Sequence, residues 1–388
     1  MIANARELFV LDPTVAHLNH GSFGSVPIPV RQERLRLLDE YDANPLRVVV
    51  GDLWDRVADN RTAAAEFLGA DPGLCSLVIN ATFGVALALN TVRLAAGDEV
   101  VITDHSYDAV TLAVRDQVSR FGAKVVVTPI DLDAGVAETV AAVAGGVTER
   151  TKLVIVDEIS SATAKRHPTA ELAARLRKLG VPLMVDAAHS PGMLPRPLSG
   201  VDPDFWVGNM HKWAFAPGGT ALMRVSADWR DRMAPLVVSH AHLDGYPRNV
   251  EQQGTRDHTA WLALKAGLEL FDRFGEAEIQ RHNTELAAYG QRVIGEALGF
   301  DPAALPDPGD HVSMRVIPLP PGLVTDQLSV RALYHRIVDE LTTETAINVW
   351  RGEGLLRVSA QIYNRPEEYD RLAEGLPSLL KRFAAERA

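Results

Sequence analysis

Between residues 76 and 185, short apolar runs alternate with stretches whose apolar positions recur every three to four residues. The runs at 76–79, 99–103, 124–128, 153–156 and 183–185 read as strands, and 83–94, 109–121, 136–144 and 170–179 read as helices. Buried strands alternating with helices predict an α/β fold whose mainly parallel sheet is covered on both faces. Upstream, 30–41 and 53–68 have helical spacing on either side of Asn44-Pro45, and another buried strand closes at Phe205, Trp206 and Val207. Past Met223 the pattern changes: 258–274 reads as one long helix, 312–317, 347–350 and 355–358 as strands, and 328–339 and 367–383 as helices. The shift predicts an N-terminal segment, 1–16, packing with the small domain, a large α/β domain over 17–257, and a smaller α+β domain over 258–388.

In open α/β sheets ligands bind beyond the carboxyl ends of the strands. That rule selects Asn80-Ala81-Thr82, Asp104 to Tyr107, Asp157 to Thr163, Asp186 to His189, and the corner at VGNMHKWAFAPGG, residues 207–219. Lys212 sits at that last corner beside Met210, Trp213 and Phe215. Desolvation disfavours an ammonium and pushes the amine towards its neutral, nucleophilic form, which can form an imine with an aldehyde. The same lysine also fits a surface chain lying along an apolar edge.

If an aromatic, phosphate-bearing aldehyde lies in the crevice, each cluster has a task. Asn80-Ala81-Thr82 opens a helix, where backbone N–H groups and the Thr82 hydroxyl favour a phosphate, although an ordinary N-cap explains them as well. Asp186 suits a protonated ring nitrogen, and His189 a phenolic oxygen. Either His105 or Tyr107 can cover the ring, His105 being preferred, and Asn209 and His211 lie within reach of the phosphate. Arg357 can grip a carboxylate with two parallel hydrogen bonds. Arg47, Tyr246 and Arg248 are candidates for the distal end of a ligand. His240, His242 and Asp244 alternate without the spacing of a metal site, so no metal is expected.

Composition narrows the picture further. The net charge of -11 opposes nonspecific nucleic-acid binding, and no apolar run reaches bilayer-spanning length. A start without a basic-then-apolar leader and the single Cys75 are read as cytoplasmic. No phosphate-binding G-x-x-x-x-G-K and no dinucleotide-binding G-x-G-x-x-G after a strand occurs.

The ordered set LNHGSFG, NATFG, TDHSYDAV, VDEISSATA, VDAAHSPG, GNMHKW, QGTRD and LRVSAQIYN runs from Leu18 to Asn364. It resembles the class V aminotransferases of pyridoxal-phosphate fold type I, and among them the isopenicillin N epimerase-like group. The resemblance implies a large domain with a seven-stranded sheet, a smaller C-terminal domain, pyridoxal 5'-phosphate as cofactor, and a homodimer with two shared active sites. It further implies that Lys212 carries the cofactor, Asp186 pairs with its ring nitrogen and His189 lies near its phenolic oxygen. Ala81, Thr82, Asn209 and His211 fall on the phosphate side, Thr255 reaches the neighbouring subunit's phosphate, and Arg357 takes the substrate carboxylate. The expected reaction is β-elimination on a cysteine-derived or other β-substituted amino acid, with epimerisation, decarboxylation-linked deamination and aminotransfer as alternatives. Epimerisation needs an acid on the opposite face, for which His20 and Tyr107 are candidates. Cys75, just before an early strand, is badly placed for a persulfide mechanism.

Overall fold

The computed structural model describes residues 2 and 5–387. A seven-stranded sheet comprises β1 (Cys75–Val78), β2 (Glu99–Thr103), β3 (Lys124–Thr128), β4 (Thr151–Asp157), β5 (Leu183–Asp186), β6 (Phe205–Asn209) and β7 (Ala221–Val225). Their spatial order is β1-β7-β6-β5-β4-β2-β3. β7 runs antiparallel to both β1 and β6, and the other pairs are parallel. The alternating pattern thus yields the expected mainly parallel sheet. Apart from the partly exposed edge strand β3, its apolar runs are buried, because helices must cover a parallel sheet.

Among the helices that accompany it are α1 (Ile28–Ala43), α2 (Leu53–Leu68), α3 (Ala81–Val92), α4 (Asp108–Phe121), α5 (Val136–Gly145) and α6 (Thr169–Leu179). The core joins Val85, Leu87 and Leu89 of α3 and Val110, Val114 and Val118 of α4 to Ile102, Ile155, Met184 and Val207 of the sheet. α3 lies so close to β6 that a Cβ on Gly84 would come 2.7 Å from Val207 Cγ2. This contact fixes the first turn of α3 against the strand that leads to Lys212.

The long helix expected over 258–274 is two helices, α7 (Thr259–Leu262) and α8 (Leu264–Phe274). Side chains intercept the backbone groups a continuous helix would use: Lys265 N–H donates to Asn60 Oδ1 at 3.3 Å, and Thr220 Oγ1 donates to the Ala260 carbonyl at 3.2 Å. The LNHGSFG stretch contains a single helical turn, His20–Phe23.

The chain divides into two compact units, Val26–Ser160 with His167–Asp272, and Met1–Ser25 with Ser161–Arg166 and Arg273–Ala388. The observed break falls within α8, against the expected divide at 257/258, because α7 and most of α8 pack with the larger unit. The smaller unit has a three-stranded antiparallel sheet of β8 (Met314–Pro318), β9 (Ala346–Trp350) and β10 (Glu353–Ser359), in the order β9-β10-β8. With it go α9 (Glu276–Ala297), α10 (Gln327–Leu341) and α11 (Pro366–Ala385). Its core joins Ile294, Ile317, Leu333, Leu356, Tyr369 and Leu376 with Leu18 of the N-terminal stretch.

Candidate active site

Lys212 stands three residues beyond the end of β6, where the backbone leaves the sheet. Asn209 Oδ1 accepts the Ala81 N–H at 2.9 Å and so clamps this strand end to α3. Met210, Trp213, Ala214, Phe215 and Ala216 are all buried, which leaves Lys212 half-buried at an apolar corner. Its Nζ lies 3.4 Å from His189 Nε2. On the far side of that ring, Trp213 Nε1 donates to His189 Nδ1 at 3.3 Å. An indole N–H only donates, so Nδ1 is the acceptor and the neutral imidazole carries its proton on Nε2, the nitrogen facing the lysine amine.

Asp186 ends β5 and is 2% exposed. Its Oδ1 accepts the Ala188 N–H at 3.0 Å, while burial pushes its carboxyl above the usual range against the pull of that bond and of Lys212. Asp157 ends β4 in direct register with Asp186. Burial first, and the Asp186 charge second, hold it well above the ordinary carboxylate range. The sequence selected the cluster from Asp157 to Thr163 but gave Asp157 no role, because the parallel register that brings two carboxyl groups together is not a local property.

Several expectations change in the folded chain. His105 is 1% exposed, its Nε2 bonds to the Ile130 carbonyl at 2.8 Å, and its ring meets His167 edge-on at 5.2 Å. It is thus as buried at the carboxyl end of β2 as Asp186 and His189 are at theirs. Tyr107, the other candidate for the ring face, is 46% exposed at the start of α4. At the start of α3, the Ala81 N–H is taken by Asn209 and the Phe83 N–H by Asn80 Oδ1 at 2.8 Å. The expected phosphate donor Ala81 is therefore already committed, whereas Thr82 is exposed. His211 donates from Nδ1 to the Thr220 carbonyl at 2.9 Å, and burial lowers its pKa to about 4. Its neutral Nε2 is an acceptor, so donation to a phosphate needs a second proton that burial and Lys212 oppose. Tyr246 is a core residue, its hydroxyl donating to the Leu74 and Met223 carbonyls. Arg47 is exposed on the short helix Pro45–Val50 and lines a cavity of about 480 Å³ with Glu40 and Asp52. Thr255 is exposed in a loop beside Gly254.

The smaller unit contains its own polar cluster. Arg357, in mid-strand of β10, is 2% exposed and donates from Nη1 to the Ser161 carbonyl and hydroxyl. From Nη2 it donates to Asn19 Oδ1 at 3.0 Å and Ser22 Oγ at 3.1 Å. These uncharged acceptors hold the planar guanidinium in one orientation. His20 is buried, with Nδ1 3.1 Å from the Tyr363 hydroxyl and Nε2 3.4 Å from Gln361 Nε2. Closed in this way, His20 does not fit the expected role of a substrate-facing acid.

Residues 25–372 match the family model for class-V aminotransferases. The chain is 31% identical to the isopenicillin N epimerase of Amycolatopsis lactamdurans, covering 98% of each chain. It is 29% identical to a putative L-cysteine desulfhydrase of Oryza sativa subsp. japonica, over 94% of this chain and 83% of that one. Among solved structures, the complex of the cystine C–S lyase C-DES with its reaction product cysteine persulfide superposes with a TM-score of 0.79 at 20% identity, covering 96% of this chain and 98% of the other.

Proposed function

The chain belongs to the class-V aminotransferase family, and on that premise we propose that it is a pyridoxal-phosphate enzyme eliminating the β-substituent of a cysteine-derived or other β-substituted amino acid. The residues suit the cofactor. A buried carboxylate such as Asp186, with the Ala188 N–H at one oxygen, is matched by a protonated ring nitrogen. The Nε2 proton of His189 suits a phenolic oxygen, Thr82 and the Asn209 amide suit the phosphate, and Tyr107 suits the ring face. When bound, the cofactor supplies an electron sink conjugated to the substrate's α-carbon.

The observation that carries the reading is the contact between Lys212 and His189, 3.4 Å apart at an apolar corner. With the His189 N–H on one side and buried aromatic residues around it, Lys212 would be held where it could bind the cofactor's aldehyde and, in turn, take the substrate's α-proton. In elimination the substituent leaves from the β-carbon as that proton is lost, and one base suffices. Epimerisation needs a second acid; His20 is enclosed by Tyr363 and Gln361, which leaves Tyr107 as the candidate for that route. Burial pushes the Cys75 thiol up to about 12, so it supplies no thiolate for a persulfide route. Arg357 holds the substrate carboxylate in this proposal, and Thr255 serves the neighbouring protomer's phosphate in a cytoplasmic homodimer.

Epimerisation remains the competing reading, because the 31% identity to an epimerase extends over 98% of both chains. The two separate on incubating the protein and pyridoxal phosphate with a panel of β-substituted L-amino acids. Release of a keto acid and ammonia, lost in Lys212→Ala, is expected. Interconversion of L and D forms without release of either product would overturn elimination.

A further inference from the structure

Two carboxyl groups, Asp157 and Asp186, end neighbouring parallel strands in direct register, and each is 2% exposed. Neighbours in register on a parallel sheet project from the same face. Among the described residues, the groups that act on Asp157 are Asp186 on β5, Lys212 beyond β6, and the Tyr107 backbone N–H at the start of α4, which donates to its carboxyl. Asp157 Oδ1 is buried and accepts no hydrogen bond from the described residues. An ionised carboxylate with an unsolvated, unbonded oxygen is costly, and two adjacent ionised carboxylates are costlier. The proposed function sharpens the imbalance. With the cofactor bound, Lys212 would hold it and Asp186 would face its ring nitrogen, so Asp157 would have no positive partner of its own.

We propose that Asp157 and Asp186 form a dyad sharing one proton, with Asp157 as the neutral acid and Asp186 as the single negative charge presented to the ring nitrogen. Asp157 is thereby a positioning residue, setting the charge of the partner that touches the cofactor. The assignment of Asp186 to the ring rests on the proposed function, but the shared proton is a property of the chain itself. As a coupled pair, the two groups titrate together.

Two measurements on the full-length protein, with and without added pyridoxal phosphate, test the dyad. Infrared spectra of the parent at neutral pH are expected to contain a protonated-carboxyl band that Asp157→Asn removes and that persists when pyridoxal phosphate is added. Denaturant unfolding gives the second readout. An acid that stays protonated in the native state but ionises in the unfolded chain makes the parent lose stability as pH rises above about 4. The folding constant of Asp157→Asn relative to the parent is therefore expected to rise roughly tenfold per pH unit between pH 5 and 7. A pH-independent ratio, or the absence of the band, would overturn the dyad, even if the variant is less stable overall. Loss of the band on cofactor addition would overturn the assignment of the proton to Asp157 in the loaded protein. If pyridoxal phosphate fails to bind while the band and slope are present, the proposed function fails and the dyad stands.

Discussion

Trp213 Nε1 lies 3.3 Å from His189 Nδ1, and this one bond decides which imidazole nitrogen faces Lys212. Trp213→Phe keeps an aromatic ring but removes the donor, so the His189 proton is free to change nitrogen. A hydrogen bond of about 1 kcal/mol corresponds to a roughly fivefold fall in kcat. Nitrogen-15 chemical shifts of the imidazole check the cause directly: the parent is expected to show a proton fixed on Nε2, and the variant a mixture of tautomers.

Gly192 has φ +81, and a Cβ there would meet the Trp213 carbonyl oxygen at 2.5 Å. Gly192→Ala combines left-handed strain with a clash against the backbone that presents Lys212. A destabilisation of about 2 to 4 kcal/mol is expected. The urea midpoint of unfolding measures it, and weaker retention of pyridoxal phosphate on dialysis is the accompanying change.

Arg357 donates to four acceptors from its two terminal nitrogens. Lysine keeps the charge but loses the planar fork. Arg357→Lys is expected to raise KM for the amino-acid substrate roughly tenfold with a smaller change in kcat, the signature of lost carboxylate binding. Steady-state kinetics against an analogue lacking the α-carboxylate supplies the control, since that analogue should distinguish the two proteins little.

His258 is buried between Trp54 and Trp261, with ring centroids at 5.3 and 5.7 Å, and burial lowers its pKa to about 4. The unfolded chain takes up this proton near pH 6.5, whereas the native state resists it down to about 4. Its contribution is therefore present above pH 6.5 and lost as pH falls through that window, by about 1.4 kcal/mol per pH unit. Against His258→Gln, the parent's urea midpoint should drop more steeply between pH 6.5 and 4.5.

The hydrophobic pattern by itself determined the larger unit's layered sheet, and the limits of β2 and β3 coincide with the apolar runs at 99–103 and 124–128. Periodicity is written in adjacent residues, so it survives without knowledge of the partner. The Lys212 corner was legible for the same reason, a strand running into glycine and proline. Tertiary structure alone decided the rest. Asn60 and Thr220 divide the helix expected over 258–274, Asn209 occupies the Ala81 N–H, His105 bonds the Ile130 carbonyl, and Asp157 falls beside Asp186. Each depends on groups distant along the chain competing for a hydrogen bond or for burial, and such competition has no local pattern from which it can be read.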